Sequence, residues 1–332
     1  MTSATHGIRV QLVTLVIPLL IALVALVVTF AVASTAPGTV IVHWGAGGRA
    51  NGYGSPFTYP ILIAVICLPL DAIFGAIAIL SSHRTPLTVM TKIIGLVGLF
   101  ITVLLAVGLG GSLVSQTGNA SLDPASIVWL PIGFGVAAVL TVGAWFLLPK
   151  ASKVSRDKGT PVAPVALTID ERASWIHSAT APASLMWGVV GFLVLITAIV
   201  FFTVSQRNGA LWPVSFIPTL ILLVVLSNFA WTIRVDARGV RMRSSIGIPT
   251  ITVPLSTIES ASVIDVQAIA QYGGFGMRWG LNHRFGVILR SGEALEIQRR
   301  GGRSVVVTVD DATSAAALIN GLVDRASTVA RL

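Results

Sequence analysis

The feature that most constrains this chain is a series of long apolar stretches. A bilayer core of about 30 Å is crossed by roughly 20 apolar residues in a helix, and six stretches reach that length. They are residues 10–33, 61–80, 93–111, 127–148, 183–205 and 211–232. Together they predict an α-helical polytopic membrane protein with six transmembrane helices.

The composition excludes an ordinary soluble protein. Only 11% of the residues are charged and the mean hydropathy is +0.87, whereas soluble domains carry about 25% charged residues. The first stretch is also too long for a secretory signal, whose apolar core has about 7 to 15 residues, and so it is predicted to remain as a helix. The single cysteine, Cys67, provides no disulfide framework.

Basic residues indicate the orientation in the membrane. Eight of them fall on one side of the six-span arrangement, against Arg49 and Arg207 on the other. Lys and Arg are enriched in cytoplasmic loops, which places both termini in the cytoplasm of a multi-pass plasma-membrane protein. Trp145 and Trp231 fall at predicted inner ends of spans, where tryptophan is often found.

The six predicted spans form a group of four and a group of two, separated by a linker. The predicted order is a four-helix membrane region (1–149) with an extracytoplasmic loop (34–59), a basic cytoplasmic linker (150–182), a two-helix membrane hairpin (183–232) and a cytoplasmic domain (233–332). Within the linker, residues 167–176 are either a short strand or an interfacial helix.

The extracytoplasmic loop is the most distinctive segment. An extended piece, 40–44, precedes several glycines, which permit tight turns because they accept positive φ. The loop either forms a compact cap that seats Trp44 and Tyr53 at the lipid interface, or presents a surface to a ligand. No second metal-ligating residue lies at ligand spacing from His43, so no metal site is predicted.

This loop resembles a known family. Its matching positions are Pro37, Ile41, His43, Trp44, Gly48, Asn51, Tyr53, Gly54 and Ser55. They resemble the DUF1648 membrane domain of SdpI-like bacterial proteins over about 60 residues, except that Asn51 stands where that domain often has aspartate. The best understood members are toxin-immunity membrane proteins that also signal. The resemblance therefore implies ligand or interaction roles for His43, Trp44, Gly48, Asn51, Tyr53 and Gly54.

Asp71 is the only charged residue within the predicted spans. Small residues at helical spacing from it, among them Cys67, Gly75 and Ala78, predict that it faces other helices rather than lipid. With no cation in any span, the carboxyl group is protonated, faces water, or accepts a bond from a hydroxyl such as Thr14, Thr102 or Thr141. It serves either in helix packing or in a proton or ion relay.

The carboxy-terminal region changes to strand periodicity. Seven strands are predicted, at 232–236, 239–243, 250–254, 258–266, 285–290, 294–299 and 304–309. An amphipathic helix follows, capped by Asp310 or Asp311. This meander closed by a helix resembles the bacterial pleckstrin-homology-like (PH-like) fold, which implies an all-β barrel.

The same region is basic, with twelve arginines and eight acidic residues from residue 231 onward. Its loop 272–284 contains four candidates for contact with an anionic lipid or a membrane-protein partner: Phe275, Arg278, Trp279 and Arg284. The alternative is a long hairpin loop packed on the barrel. No nucleic-acid-binding motif accompanies the charge.

The sequence contains no recognised catalytic motif. It predicts a non-enzymatic membrane protein without a cofactor, a sensor, immunity-type or scaffold component that couples the outer loop to the cytoplasmic domain. The alternative is a small-solute or proton-coupled transporter that uses Asp71.

Overall fold

A computed structural model describes residues 2–45, 48–84, 86–117, 124–152, 159–168, 170–205, 220–225, 228–280 and 284–329. The chain forms two compact units, Met1–Lys153 and Val154–Leu332. We call them the membrane unit and the strand-rich unit.

Apolar helices make up most of the membrane unit. They are α1 (Thr2–Gln11), which continues through a π-helical turn (Leu12–Val16) into α2 (Ile17–Thr35), then α3 (Thr58–Arg84), α4 (Val89–Val114) and α5 (Trp129–Leu147). A two-stranded antiparallel hairpin of β1 (Val40–Trp44) and β2 (Ala50–Gly54) joins α2 to α3.

Four of the described helices are long and apolar enough to cross a membrane: His6–Thr35, Thr58–His83, Val89–Val114 and Ser126–Leu147. They correspond to the first four predicted spans and confirm the membrane character of the chain. The fifth predicted span is a helix, α6 (Ala183–Ser205), with several side chains outside the described residues. Parts of the sixth, residues 211–219 and 226–227, also lie outside them.

Helix α4 is the centre of the membrane unit, since it packs against α2, α3 and α5. Glycines allow this close packing. A Cβ on Gly133 of α5 would lie only 2.7 Å from the backbone oxygen of Leu104, so a larger residue there would push α4 and α5 apart. Such small residues at helix crossings are typical of membrane proteins.

The strand-rich unit contains two sheets. The four-stranded sheet has the order β4 (Trp175–Thr180), β5 (Ala230–Asp236), β6 (Gly239–Ser244) and β7 (Thr250–Pro254), all antiparallel. The six-stranded sheet has the order β3 (Thr160–Pro161), β8 (Ile258–Val266), β11 (Gly292–Arg299), β12 (Val305–Thr308), β10 (Phe285–Ile288) and β9 (Gly276–Trp279). The described helices α7 (Ala268–Tyr272) and α8 (Ala312–Val329) also belong to this unit, as does α6.

Each of the seven predicted strands is present, but their pairing departs from a meander. β10 lies parallel to β12 rather than beside β11, the strand that follows it. Both β10 and β12 are almost continuously apolar and buried, as is usual for parallel strands covered on both faces. Among the described residues the two sheets do not close into a barrel.

The sheet begins earlier than the sequence predicted. Trp231 lies in β5 and is only 1% exposed, in the same core as Ile233 and Val235, so its prediction as an interfacial anchor is wrong. The period-two alternation of β5 extends back to this residue, because Trp231, Ile233 and Val235 share one buried face. Strand β4, from the predicted linker, pairs along β5.

One hydrophobic core joins both sheets to α8. Ala315, Ile319 and Leu322 of this helix are buried against residues of both sheets. Asp311 is the acidic cap, because its carboxylate accepts a bond from the Ser314 amide (3.4 Å) and one from the Trp175 indole (3.3 Å). These bonds lower the pKa of Asp311.

Candidate functional site

The β1–β2 hairpin brings two of the predicted site residues into contact. His43 Nδ1 lies 2.6 Å from Asn51 Oδ1 across the strands, and the register shifts on both sides of His43. Gly48 in the connecting turn has a φ of 74°, which favours glycine. Tyr53 is 53% exposed. The hairpin therefore presents a tyrosine ring beside a histidine–asparagine pair.

A buried polar network fastens this hairpin to the membrane helices. The Ile41 amide donates to Gln116 Oε1 (2.7 Å), and Gln116 Nε2 donates to the Tyr59 hydroxyl (3.1 Å). That hydroxyl in turn donates to the Ile41 carbonyl and lies 3.3 Å from the Ser112 hydroxyl. All four residues are buried.

This network connects three elements: β1 through Ile41, the start of α3 through Tyr59, and the end of α4 through Ser112 and Gln116. Buried polar groups that are fully bonded hold one arrangement, because breaking them leaves a desolvated group without a partner. The network was not predicted. Nothing in the polar sequence around Gln116 distinguishes that residue from its neighbours.

A second polar layer lies midway along α4. The Thr102 hydroxyl is 2.8 and 3.0 Å from the two carboxylate oxygens of Asp71, and both residues are fully buried. Of the three threonines considered from sequence, Thr102 is thus the partner. Thr14 instead donates to the Val10 carbonyl (2.8 Å).

The predicted stripe of small residues on α3 faces the helix interface. Cys67, Asp71, Gly75 and Ala78 are all buried, and a Cβ on Gly98 of α4 would lie 2.9 Å from Asp71 Oδ1. The carboxylate is therefore enclosed between α3 and α4, in the arrangement expected for helix packing.

A third layer contains Lys92, which is 4% exposed at the end of the membrane unit away from the hairpin. Its ammonium donates to the Trp145 carbonyl (3.0 Å) and lies 4.2 Å from the centre of the Trp145 ring. Both contacts stabilise a cation without a carboxylate. The sequence counted Lys92 among the orienting charges and did not predict its burial.

The candidates from loop 272–284 separate into two groups. Arg278 and Trp279 are exposed on β9, an edge strand, and Arg303 lies over the Trp279 ring at 5.0 Å. Phe275 is half-buried against the Tyr272 cluster.

Arg284 was predicted as a surface contact, and the structure corrects this. It is 4% exposed, and its Nη2 donates to Oε2 of the buried Glu296 at 2.8 Å. A guanidinium held by a buried carboxylate does not reach a lipid headgroup. Beside this pair, burial raises the pKa of Tyr272 to about 12.

Among the residues that the structure describes, no group of three His, Cys, Asp or Glu side chains is placed to hold a metal ion. Comparison with protein-family models, curated proteins and solved structures gives no match. The likeness of the loop to the DUF1648 domain therefore stays a prediction from its residues.

Proposed function

We propose that the protein is a non-enzymatic membrane receptor of the sensor or immunity type. The β1–β2 hairpin binds a ligand outside the cell, and α4 carries the resulting displacement towards a cytoplasmic strand-rich unit. The likeness of the hairpin to the SdpI-like loop suggests a membrane-active toxin as the class of ligand.

The observation that carries this proposal is the Gln116 network. A cap that only seats aromatic rings in lipid needs no buried bonds to the helices, whereas a ligand-responsive element must be joined rigidly to what it moves. Ile41, at the base of the hairpin, meets Gln116 through two hydrogen bonds, at 2.7 and 3.3 Å. Movement of the hairpin is thereby applied to the end of α4, the helix that also holds Thr102 and Lys92.

The pairing of β4 with β5 supports the proposed membrane hairpin in the second half of the chain. Thr180 pairs with Ala230, and the Ala181 amide donates to the Phe229 carbonyl (2.8 Å). Both ends of 181–229 thus meet at one sheet, and this supports an even number of crossings of the bilayer by the segment. This agrees with a two-helix membrane hairpin that leaves the linker and the two sheets on one side.

The transporter alternative has less support. A relay needs a carboxyl group that exchanges protons with water or with a second titratable group. Asp71 exposes no surface, and its hydrogen-bonding partner is the Thr102 hydroxyl.

A surrogate ligand tests the proposal. A single-domain antibody raised against residues 40–54 is added to the full-length protein in lipid nanodiscs, and hydrogen exchange is measured by mass spectrometry. In the wild type, binding should alter exchange in α4 and in the strand-rich unit.

The variant Gln116→Ala should bind the antibody with unchanged affinity and lose both distant changes, because the bonds from β1 to α4 are gone. Thr117→Ala is the matched control, since the Thr117 hydroxyl donates within the turn, to the Val114 carbonyl. If antibody binding leaves α4 and the strand-rich unit of the wild type unaltered, the receptor proposal is wrong.

A further inference from the structure

A cavity of about 590 Å³ opens at the end of the membrane unit away from the hairpin. Its walls come from the start of α1, the end of α3, the α3–α4 connection and the residues after α5. The polar side chains that line it are His6, Gln11, Ser82, His83, Lys150 and Ser152.

These side chains suit an anion. Lys150 supplies an ammonium group, and each imidazole offers an N–H in either tautomer. The two serine hydroxyls and the Gln11 amide add further donors, and no carboxylate is among the described residues that line the cavity. Such a concentration of donors without an acidic side chain is what phosphate oxygens require.

The residues that the structure describes in the membrane unit bring no carboxylate to this end. Residues 1–153 contain two acidic residues, Asp71 and Asp123. Asp71 is held by Thr102 in the middle of the spans, and Asp123 comes between α4 and α5 in the sequence. An anion that meets Lys150 in the cavity thus comes from outside these residues.

The depth of the cavity indicates the source of that anion. His6 begins the first spanning helix, His83 ends the second, and Lys150 follows Leu147 at the end of α5. Residues at the ends of apolar helices lie at the level of lipid headgroups. Apolar side chains, Ile8 and Leu87 among them, form the remaining wall.

We propose that this cavity binds the phosphate group of an anionic glycerophospholipid. His6, His83 and Lys150 contact the phosphate oxygens, and the apolar wall contacts the glycerol and the upper acyl chain. The site is already formed, because the Ser152 amide donates to the Leu87 carbonyl (2.8 Å) and Thr88 caps α4 through the Thr91 amide (3.3 Å).

Native mass spectrometry of the purified full-length protein tests this proposal, with phosphatidylglycerol, phosphatidylcholine and inorganic phosphate as separate probes. Phosphatidylglycerol should be retained in preference to phosphatidylcholine. Lys150→Gln should weaken its retention about tenfold, the effect of losing one charge-assisted hydrogen bond, and Lys150→Arg should restore most of it. Adding His6→Gln and His83→Gln to Lys150→Gln should abolish the preference.

Arg49→Gln is the matched control, because it removes an exposed positive charge at the hairpin end. It should retain phosphatidylglycerol as the wild type does, and thermal unfolding of every variant in detergent reports whether it is folded. Equal retention by a folded triple variant would overturn the proposal. If inorganic phosphate at millimolar concentration displaces the lipid, the natural ligand of the cavity is free phosphate and not a lipid headgroup.

Discussion

At Asp71, a buried carboxylate depends on a single neighbouring hydroxyl. Thr102 has one proton, so it donates to one of the two carboxylate oxygens at a time, although both lie within 3.0 Å of it. Hydrogen bonds between membrane helices average about 0.6 kcal/mol, because the unfolded chain in the membrane also finds partners. The side chain therefore serves helix packing at modest energy.

Substitutions of Asp71 distinguish a role in helix packing from a role that requires the carboxyl group to titrate. Asp71→Asn keeps the shape and an acceptor for Thr102, and should change the free energy of unfolding by less than about 1 kcal/mol. Asp71→Leu adds branched bulk against Gly98 and should lower it by about 1–3 kcal/mol. Thermal unfolding in detergent measures both. If Asp71→Asn removed a pH-linked ion flux in proteoliposomes at unchanged stability, the role of Asp71 would be a proton or ion relay and not helix packing.

Tyr272 gives the strand-rich unit a sensitivity to alkali. Burial raises the pKa of Tyr272 to about 12, above its ordinary value of 10.0. The folded state therefore keeps the phenol proton longer than the unfolded state does. This contribution to stability is complete below pH 10 and is lost as the pH rises towards 12.

Tyr272→Phe should remove part of that loss. Between pH 9 and pH 11.5 the wild type should lose about 1–2 kcal/mol more of its free energy of unfolding than the variant does. Unfolding curves of the full-length protein at the two pH values measure the difference. Tyr53→Phe, at an exposed site, is the control. Parallel losses in Tyr272→Phe and the wild type would show that this phenol does not ionise on unfolding.

At the scale of elements, apolar length and period predicted most helices and strands but not their partners. Strands β10 and β12 were predicted from the strand periodicity of the region, but periodicity does not indicate that β12 lies between β10 and β11. Strand β4 lies mostly beyond residues 167–176, the segment predicted as either strand or interfacial helix, and its pairing with β5 joins residues that are 50 or more positions apart in the chain. The pairing of strands that are far apart in the chain is not visible in the local pattern of apolar and polar residues.

The hydrogen bonds of Gln116 are expected to hold the β1–β2 hairpin against the membrane helices. In Gln116→Ala the Ile41 amide loses its acceptor, and leaving a buried donor without a partner costs about 1–3 kcal/mol. Exchange of that amide should accelerate by roughly tenfold or more, in proportion to the lower free energy of local opening. Mass spectrometry of the peptide covering β1 measures this. The same rate in both proteins would mean that the network does not hold the hairpin.

Edge strand β9 remains a proposed contact for anionic lipid through Arg278 and Trp279. In nanodiscs that contain phosphatidylglycerol, exchange of residues 276–279 should be slower than in neutral nanodiscs. The protection should disappear at 1 M salt, since the screening length falls from about 10 Å at 0.1 M to about 3 Å. It should also disappear in Arg278→Gln with Trp279→Ala. If the protection does not depend on lipid charge, β9 does not bind anionic lipid. It then contacts a protein partner or packs within the unit.

At the scale of the whole molecule, the sequence located the hairpin residues but missed what fixes them. His43 and Asn51 were singled out by their motif and do meet, whereas Gln116 is 75 residues from Ile41 in the chain. The prediction for Arg284 was wrong because its partner Glu296 lies on β11, 12 residues further along the chain. Buried polar pairs between distant segments were thus the part that composition and spacing did not predict.

The receptor account requires the hairpin and the strand-rich unit to lie on opposite sides of the membrane. Thiol labelling measures this directly, because the single native cysteine, Cys67, is fully buried and gives little background. Tyr53→Cys and Arg241→Cys each place a thiol at an exposed site, one in the hairpin and one on β6. A membrane-impermeant maleimide is applied to intact and to permeabilised cells.

The account predicts that Tyr53→Cys reacts in intact cells, and that Arg241→Cys reacts only after permeabilisation. Reaction of both thiols in intact cells, or protection of the Tyr53→Cys thiol until the membrane is opened, would contradict it.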